Sequence, residues 1–326
     1  MCRKSTDLMP IIIDSAQAVV NVCQKVFADR RWNCSSILLA PNYKYDLTKG
    51  TKEQAFVYAL SSAAVTHQIA KGCSDGKIPY CPCGLNSPTI STDTTYKWKG
   101  CSDNILYGQK ISREWADAPW KKKTKNGRNR TTTRRSHRYA IKEDYAPKSI
   151  YIRQWHESGL PMRIVMNQQN NDLGRQVTEE SLYRKCKCHG VSSSCNVQTC
   201  WNTLPDITEI ALKLNSTVSR LKERYSEATN YNEWANVDNF SNQRLVYISN
   251  SPDYCVEDKR TGSYGTTMRE CNVTSPGADG CGSLCCGRGY NTKTVKVEEQ
   301  CQCKYVHCCY VKCKTCTYYI DKHYCK

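Results

Sequence analysis

Twenty-three cysteines in 326 residues constrain this chain more than any other feature. So many thiols either hold metals in a reducing compartment or pair with one another in an oxidising one. Spacing separates the two cases. Cys285-Cys286 and Cys308-Cys309 are adjacent, while Cys186/Cys188 and Cys301/Cys303 skip a single residue. Structural zinc prefers C-x2-4-C followed by a second such pair. Cys313 and Cys316 form the one C-x-x-C, and no second C-x-x-C stands near them. The cysteines therefore read as disulfides of a chain that folds outside the cytosol, with no metal site. Their odd number leaves at least one without an internal partner. Twelve of the 23 lie between Cys255 and Cys325. Such density marks a C-terminal module that has little core and depends on covalent staples.

Upstream, the pattern is helical. Ile12, Ala16, Val19, Cys23 and Phe27 recur at spacings of three and four, as do Phe56, Leu60, Ala63, His67 and Ala70. The second stripe opens with a capping box, Thr51-x-x-Gln54, and closes at Lys71-Gly72. A third follows Pro205 and runs from Ile207 to Tyr225, and a weaker fourth covers 172–184. These stripes predict core, and His67 reads as a packed core histidine. Cys73, Cys81, Cys83 and Cys101 fall among prolines and glycines, which suits stapled loops. Arg244–Ile248 reads as a strand, and so does Thr294–Val297. The fold class is α+β: a mainly helical domain over 1–243, then a small β-rich, disulfide-dense domain over 244–326.

The net charge is +17. Residues 119–138, PWKKKTKNGRNRTTTRRSHR, hold nine Lys or Arg and no acid. That segment reads as a polar loop suited to a polyanion. Outside the cell the abundant polyanions are sulfated glycans and anionic lipid surfaces, which points to heparan sulfate and away from nucleic acid. No run approaches the ~18 apolar residues of a membrane span. Met1-Cys2-Arg3-Lys4 leads to Pro10-Ile11-Ile12-Ile13, which Asp14 interrupts, so no secretory h-region forms. For an oxidised chain this predicts a start, with its signal, upstream of Met1. Glycosylation sequons stand at Asn33, Asn129, Asn215, Asn239 and Asn272. Asn215 falls within a predicted helix and is the poorest acceptor of the five.

The chemistry-bearing stretch runs from Cys186 to Trp201. Its spacing, C-x-C then C-x4-C, suits nested disulfides Cys186–Cys200 and Cys188–Cys195 across two antiparallel arms. The tip would then be His189, Gly190, Val191, Ser192, Ser193 and Ser194, none with a core role. Three uses compete. Ser194 with His189 is half of a hydrolase triad, without a visible third group or a G-x-S-x-G elbow. Cys186, Cys188, His189 and Cys195 form a zinc set that would consume the clamp. Alternatively, a serine hydroxyl is a modification acceptor offered to another enzyme.

The stretch resembles the signature of Wnt signalling ligands, C-K-C-H-G-x-S-G-S-C-x-x-x-T-C-W. The resemblance continues in Arg30–Ser35, Ala55–Ala59, Gly100–Asn104, Ser251–Cys255, Cys285–Thr292 and Tyr324–Lys326. Residues 119–150 and 226–243 match poorly. It implies a secreted, lipid-modified, non-enzymatic developmental ligand of the extracellular space and matrix, with no cofactor beyond a covalent monounsaturated acyl ester on Ser194. A membrane-bound O-acyltransferase would attach that ester. The lipid-bearing hairpin, or thumb, would then bind the Frizzled cysteine-rich domain, with a lipoprotein-receptor-related or tyrosine-kinase co-receptor completing the signalling complex. A matrix-associated structural glycoprotein is the alternative from another class.

The resemblance also implies a C-terminal finger whose tip, His307, Cys308, Cys309 and Tyr310, makes a second receptor contact. Its implied pairs are Cys255–Cys286, Cys271–Cys281, Cys285–Cys325, Cys301–Cys316, Cys303–Cys313 and a vicinal Cys308–Cys309. Cys23–Cys34, Cys73–Cys81 and Cys83–Cys101 complete the set and leave Cys2 over. Asn33, Asn272, Asn129 and Asn239 remain the candidate glycan acceptors. Three positions depart from the family pattern. Ser193 and Met268 stand where glycine is usual, and His307 where tryptophan is usual.

Overall fold

A computed structural model describes residues 6–84, 96–120, 162–219 and 244–326. The chain divides into two compact units: Met1–Cys23 with Leu47–Ser251, and Gln24–Asp46 with Pro252–Lys326. This corrects the expected division at 243/244. The boundary falls after Ser251, and the segment 24–46 belongs to the C-terminal unit.

The first unit is built on helices α1 (Met9–Val26), α2 (Lys52–Ser74), α3 (Ile105–Ala116), α4 (Met162–Glu180) and α5 (Ile207–Ser219). In α1, Ile12, Val19 and Cys23 are buried as the stripe predicts, whereas Ala16 is exposed and Ser15 takes the inward place. Thr51 caps α2 by accepting the Gln54 N–H at 3.2 Å, and the Gln54 side chain accepts the Gly50 N–H at 2.7 Å. The one-faced stripe expected of α2 is a correction in kind: 17 of its 23 residues are buried. A helix buried all round is a central element rather than an amphipathic one. Its small residues make that possible. Gly108 of α3 lies against the Thr66 carbonyl and Ala70, and Gly174 of α4 against the Ala59 carbonyl and Ser62.

α4 begins ten residues before the expected 172 and ends at 180. Its buried positions are mixed: Asn167, Asn170, Asn171, Arg175 and Thr178 lie inside together with Met166, Leu173 and Val177. The Arg175 guanidinium meets Asp172 at 2.6 Å and Asp117 at 3.0 Å. Arg244–Ile248 is not a strand. Its backbone is satisfied instead by a side chain, since the Asn170 amide donates to Val246 O and accepts from Val246 N, both at 2.8 Å.

His67 is buried, with Nε2 2.8 Å from the Pro205 carbonyl, so Nε2 carries the proton and donates. Burial holds its pKa below the ordinary 6.5, and Lys71 adds to this; the Pro205 bond, Asp103 and Asp206 oppose it. The folded protein therefore binds this proton less readily than the unfolded chain. The stability contributed by neutral His67 is complete above 6.5 and is lost as pH falls below it toward the depressed folded value. Thermal melts should show a midpoint that falls as pH drops below about 6.5, and His67→Gln should flatten that slope. An unchanged slope in the variant would assign the pH dependence to other groups.

The second unit holds two small sheets, β4–β5 (Glu257–Asp258, Ser263–Tyr264) and β6–β8–β7 (Glu270–Cys271, Tyr310–Cys325, Tyr290–Val306). The expected strand Thr294–Val297 lies within β7. Segment 24–46 is tied in by polar anchors. The Arg269 guanidinium donates to the Ala28 and Arg31 carbonyls at 2.7 and 2.9 Å, and Arg31 Nε donates to the Ser283 carbonyl at 2.9 Å. The apolar cluster here is Cys271, Cys281, Leu284, Cys285 and Cys325, mostly sulfur. Staples replace core, as the cysteine density predicts. Among the described residues no helix is long and apolar enough to cross a membrane.

Candidate functional site

The stretch 183–203 is an antiparallel hairpin of β2 (Tyr183–Cys188) and β3 (Val197–Thr203). Cys186 stands directly opposite Cys200, and the two are bonded. Two residues toward the tip, Cys188 is bonded to Cys195. The zinc set is thereby consumed, because a disulfide sulfur is no thiolate ligand. On its other side β3 carries the parallel strand β1 (Tyr96–Lys99).

The hairpin root is fastened by one carboxylate. Asp103, itself buried, accepts the Leu204 N–H at 2.7 Å and the Thr203 hydroxyl at 3.1 Å through Oδ2, and the Ser74 hydroxyl through Oδ1 at 2.5 Å. Ser102 Oγ accepts the Asn202 N–H at 2.8 Å. Asp103→Ala leaves the buried Leu204 N–H without its acceptor, at a cost of about 2–3 kcal/mol. Hydrogen exchange should show the loss concentrated at the root of β3; uniform protection across the hairpin would contradict that role.

The tip is closed by backbone bonds. His189 N donates to Val197 O at 2.7 Å, Gly190 N to Ser194 O at 2.9 Å, and Ser194 N to Val191 O at 3.1 Å. Val191 is 90% exposed, Ser192 and Ser193 are exposed, and Ser194 is half-buried. His189 Nε2 lies 2.9 Å from Thr199 Oγ1. A Cβ at Gly190 would run into Ser194 Oγ, so only glycine leaves that hydroxyl its space. Ser192 (φ 54°) and Ser193 (φ 62°) are both left-handed. That explains why glycine suits position 193, and serine there costs about 1 kcal/mol. Met268, the second departure from a usual glycine, also has positive φ, at 63°.

His307, Cys308, Cys309 and Tyr310 form the exposed turn of the β7–β8 hairpin. The expected vicinal disulfide is not formed. Cys308 and Cys309 stand as free thiols with their sulfurs 2.7 Å apart, longer than the ~2.05 Å of a bond and shorter than the ordinary contact of two unbonded sulfurs. That contact, before a small effect of burial, raises the Cys309 pKa. Both residues have positive φ, at 56° and 96°. Elsewhere the sulfurs pair as Cys73–Cys81, Cys83–Cys101, Cys255–Cys286, Cys271–Cys281, Cys285–Cys325, Cys301–Cys316 and Cys303–Cys313. Cys23 and Cys34 are disulfide-bonded as well. The sulfurs of Cys271, Cys285 and Cys325 come together, but all three are already bonded and offer no metal ligand.

Asn272 is exposed, and its Oδ1 accepts from Thr274 N and Oγ1 at 3.0 and 2.8 Å. Asn33, half-buried, repeats the pattern with Ser35 at 3.2 and 2.7 Å. Asn215 is buried within α5. Cys2, Asn129, Asn239 and, beyond Trp120, the basic segment 119–138 lie outside the described residues.

The profile of the Wnt family matches residues 1–326. Wnt-11 of Gallus gallus is 40% identical over 331 residues, covering 100% of this chain and 84% of its own. Wnt-16 of Bos taurus is 34% identical over 343 residues, with the same coverage. In structure, a chain of the solved complex of human WLS with WNT8A superposes with a TM-score of 0.61 at 30% identity, covering 98% of this chain and 94% of that one. With its helical first unit, its stapled hairpin and its disulfide-rich second unit, the chain belongs to the Wnt family of secreted signalling ligands.

Proposed function

We propose that this protein is a Wnt-type ligand that binds the Frizzled cysteine-rich domain through a monounsaturated acyl chain esterified to Ser194. The observation that carries the reading is the doubly clamped hairpin, whose tip holds no core residue and whose Gly190 leaves room at the Ser194 hydroxyl. Two disulfides in fifteen residues stiffen the tip, and the ordering cost of binding falls accordingly. A membrane-bound O-acyltransferase supplies the ester. The chain that results burdens the free ligand with exposed hydrocarbon, so a carrier is needed. The likeness to a complex containing WLS supports WLS as that partner during export. The tip His307–Tyr310 provides the second receptor contact, a co-receptor completes the assembly, and the basic segment 119–138 holds sulfated glycan. Mass analysis of the 186–200 peptide from secreted protein tests the mechanism: an adduct of one monounsaturated acyl group on Ser194 is expected, and an unmodified peptide defeats it.

A further inference from the structure

The β7–β8 ladder runs without a break from Tyr290 opposite Cys325 to Cys301 opposite Lys314, and a register shift interrupts it between Cys301 and Lys304. In the sheet order β6–β8–β7 the strand β7 is outermost, and among the described residues it pairs with β8 alone. Its outer edge therefore offers a row of backbone N–H and C=O groups over 290–301, a template on which another strand can pair. Proline or a bulge would blunt such an edge. Residues 290–301 hold no proline, and the register shift comes only after them. The Cys301–Cys316 disulfide ties the two strands together at that end, so the edge is stiff before it meets a partner.

Charge narrows the choice of partner. The protein carries +17, yet residues 290–301 hold Lys293, Lys296, Glu298 and Glu299 and no other charge. A balanced stretch offers nothing to a polyanion. It also lets two copies meet where net charge would otherwise keep them apart.

Geometry then selects one register. Along an antiparallel strand, alternate residues turn both backbone groups to the same side. Two copies of β7 can hydrogen-bond edge to edge only when residues of the same parity face each other, so the two-fold axis passes through a residue. Centred on 296 or 298, the pairing sets Lys296 against Lys296 or Glu298 against Glu298. Centred on 295, it opposes no unlike charges. Centred on 297, it sets Lys296 opposite Glu298 twice, once on either side of the axis. Within one copy these two side chains already meet along the strand at 2.5 Å, and each is 54% exposed. On the other face, Val297 stands opposite Tyr318 and Val295 opposite Ile320. The valines are half-buried, and Tyr318 and Ile320 are 38% and 36% exposed. Pairing at 297 aligns Tyr318, Val297 and the same two residues of the second copy in one row across four strands. We propose that β7 is a self-complementary edge on which a second copy of this chain pairs antiparallel about Val297, with Lys296 of each copy against Glu298 of the other. The paired stretch ends at Cys301, so the turn His307–Tyr310 of both copies stays outside it. Acylation of Ser194 plays no part in this pairing.

The test uses full-length protein carrying Ser194→Ala, so that no acyl chain drives association. Sedimentation velocity should show a reversible monomer–dimer equilibrium with a dissociation constant of about 10 µM, the weak end expected of a small interface. Lys296→Glu alone and Glu298→Lys alone should each weaken it at least about tenfold, because either change sets like charges against each other on both sides of the axis. Mixed in equal amounts, the two variants should associate as the unaltered chain does, since every 296–298 pair across the axis is then opposite in sign. Should either variant fail to fold, hydrogen exchange of the 293–301 amides in the unaltered strand decides instead: it should slow as concentration rises, and a rate independent of concentration overturns the pairing. A chain that stays monomeric to about 100 µM overturns the proposal and leaves the edge to an extended segment of another protein. Dimerisation that ignores both substitutions overturns it too, as does a mixture of folded variants that fails to recover.

Discussion

Ser194→Ala will remove the acyl adduct and reduce binding to the Frizzled cysteine-rich domain by at least about a thousandfold, ~4 kcal/mol, while the thumb keeps its fold. Burial of a dozen or so methylenes at ~0.8 kcal/mol each amounts to about 10 kcal/mol before the costs of association. No side chain at the tip approaches that figure; Val191, the most exposed apolar residue there, offers about 2 kcal/mol when fully buried. The fold survives because the bonds that close the tip run through backbone atoms, Gly190 N to Ser194 O and Ser194 N to Val191 O, and the clamp is covalent. Binding by surface plasmon resonance, alongside the hairpin's disulfide map, checks both halves. Undiminished binding would mean that the tip works without lipid. Ser193→Ala is the companion control and should retain the adduct on Ser194. Loss of the adduct there would show that the left-handed Ser193, rather than Ser194, had been the acceptor.

The thumb was legible because its information is covalent and local. Cys186, Cys188, Cys195 and Cys200 lie within fifteen residues, so spacing alone orders them into a nested pair. The start of α2 was legible for a similar reason, since Thr51 and Gln54 cap it through short-range bonds, whereas its end lies at Ser74, past the expected Lys71-Gly72. What spacing could not reveal was long-range. α4 hides its length because asparagine and arginine interrupt the Met166, Leu173 and Val177 that it also buries, and hydrophobic periodicity does not register polar positions satisfied by remote partners. Arg244–Ile248 has the composition of a strand, yet Asn170 takes both backbone groups of Val246 and the Gly50 carbonyl accepts from Ile248 N. The attachment of 24–46 to the second unit rests on Arg269, which is 238 residues away from Arg31 in sequence, and on Arg31 with Ser283, 252 residues apart. α3 carried a signal that was passed over. Asn104 caps it by accepting the Tyr107 N–H at 3.1 Å, and an asparagine before an apolar run is a helix start that can be read without a structure.

Gly174→Ala poses the sharpest test of the helical unit, because two effects oppose each other in sign. By intrinsic propensity, alanine in a helix interior is favoured over glycine by about 1 kcal/mol, so the substitution should stabilise α4. Packing predicts the reverse. A Cβ at 174 would overlap the Ala59 carbonyl oxygen and Ser62 Oγ and approach the Ala59 carbonyl carbon to 2.8 Å. Backbone cannot swing away as a side-chain end does, so α4 must retreat from α2. That movement strains the Ser62 Oγ to Asn171 O bond at 2.7 Å and the adjoining Arg175–Asp117 pair. Overpacking of this kind costs about 3 kcal/mol or more, which outweighs the propensity gain. The net of about 2 kcal/mol should lower the melting midpoint of a unit of this size by roughly 4–8 °C. Gly282→Ala is the matched control: nothing lies within 4 Å of a Cβ there, and its midpoint should barely move. A higher midpoint for Gly174→Ala than for the unmodified protein would show that the two helices are not in backbone contact. The buried asparagines of α4 would then need another explanation.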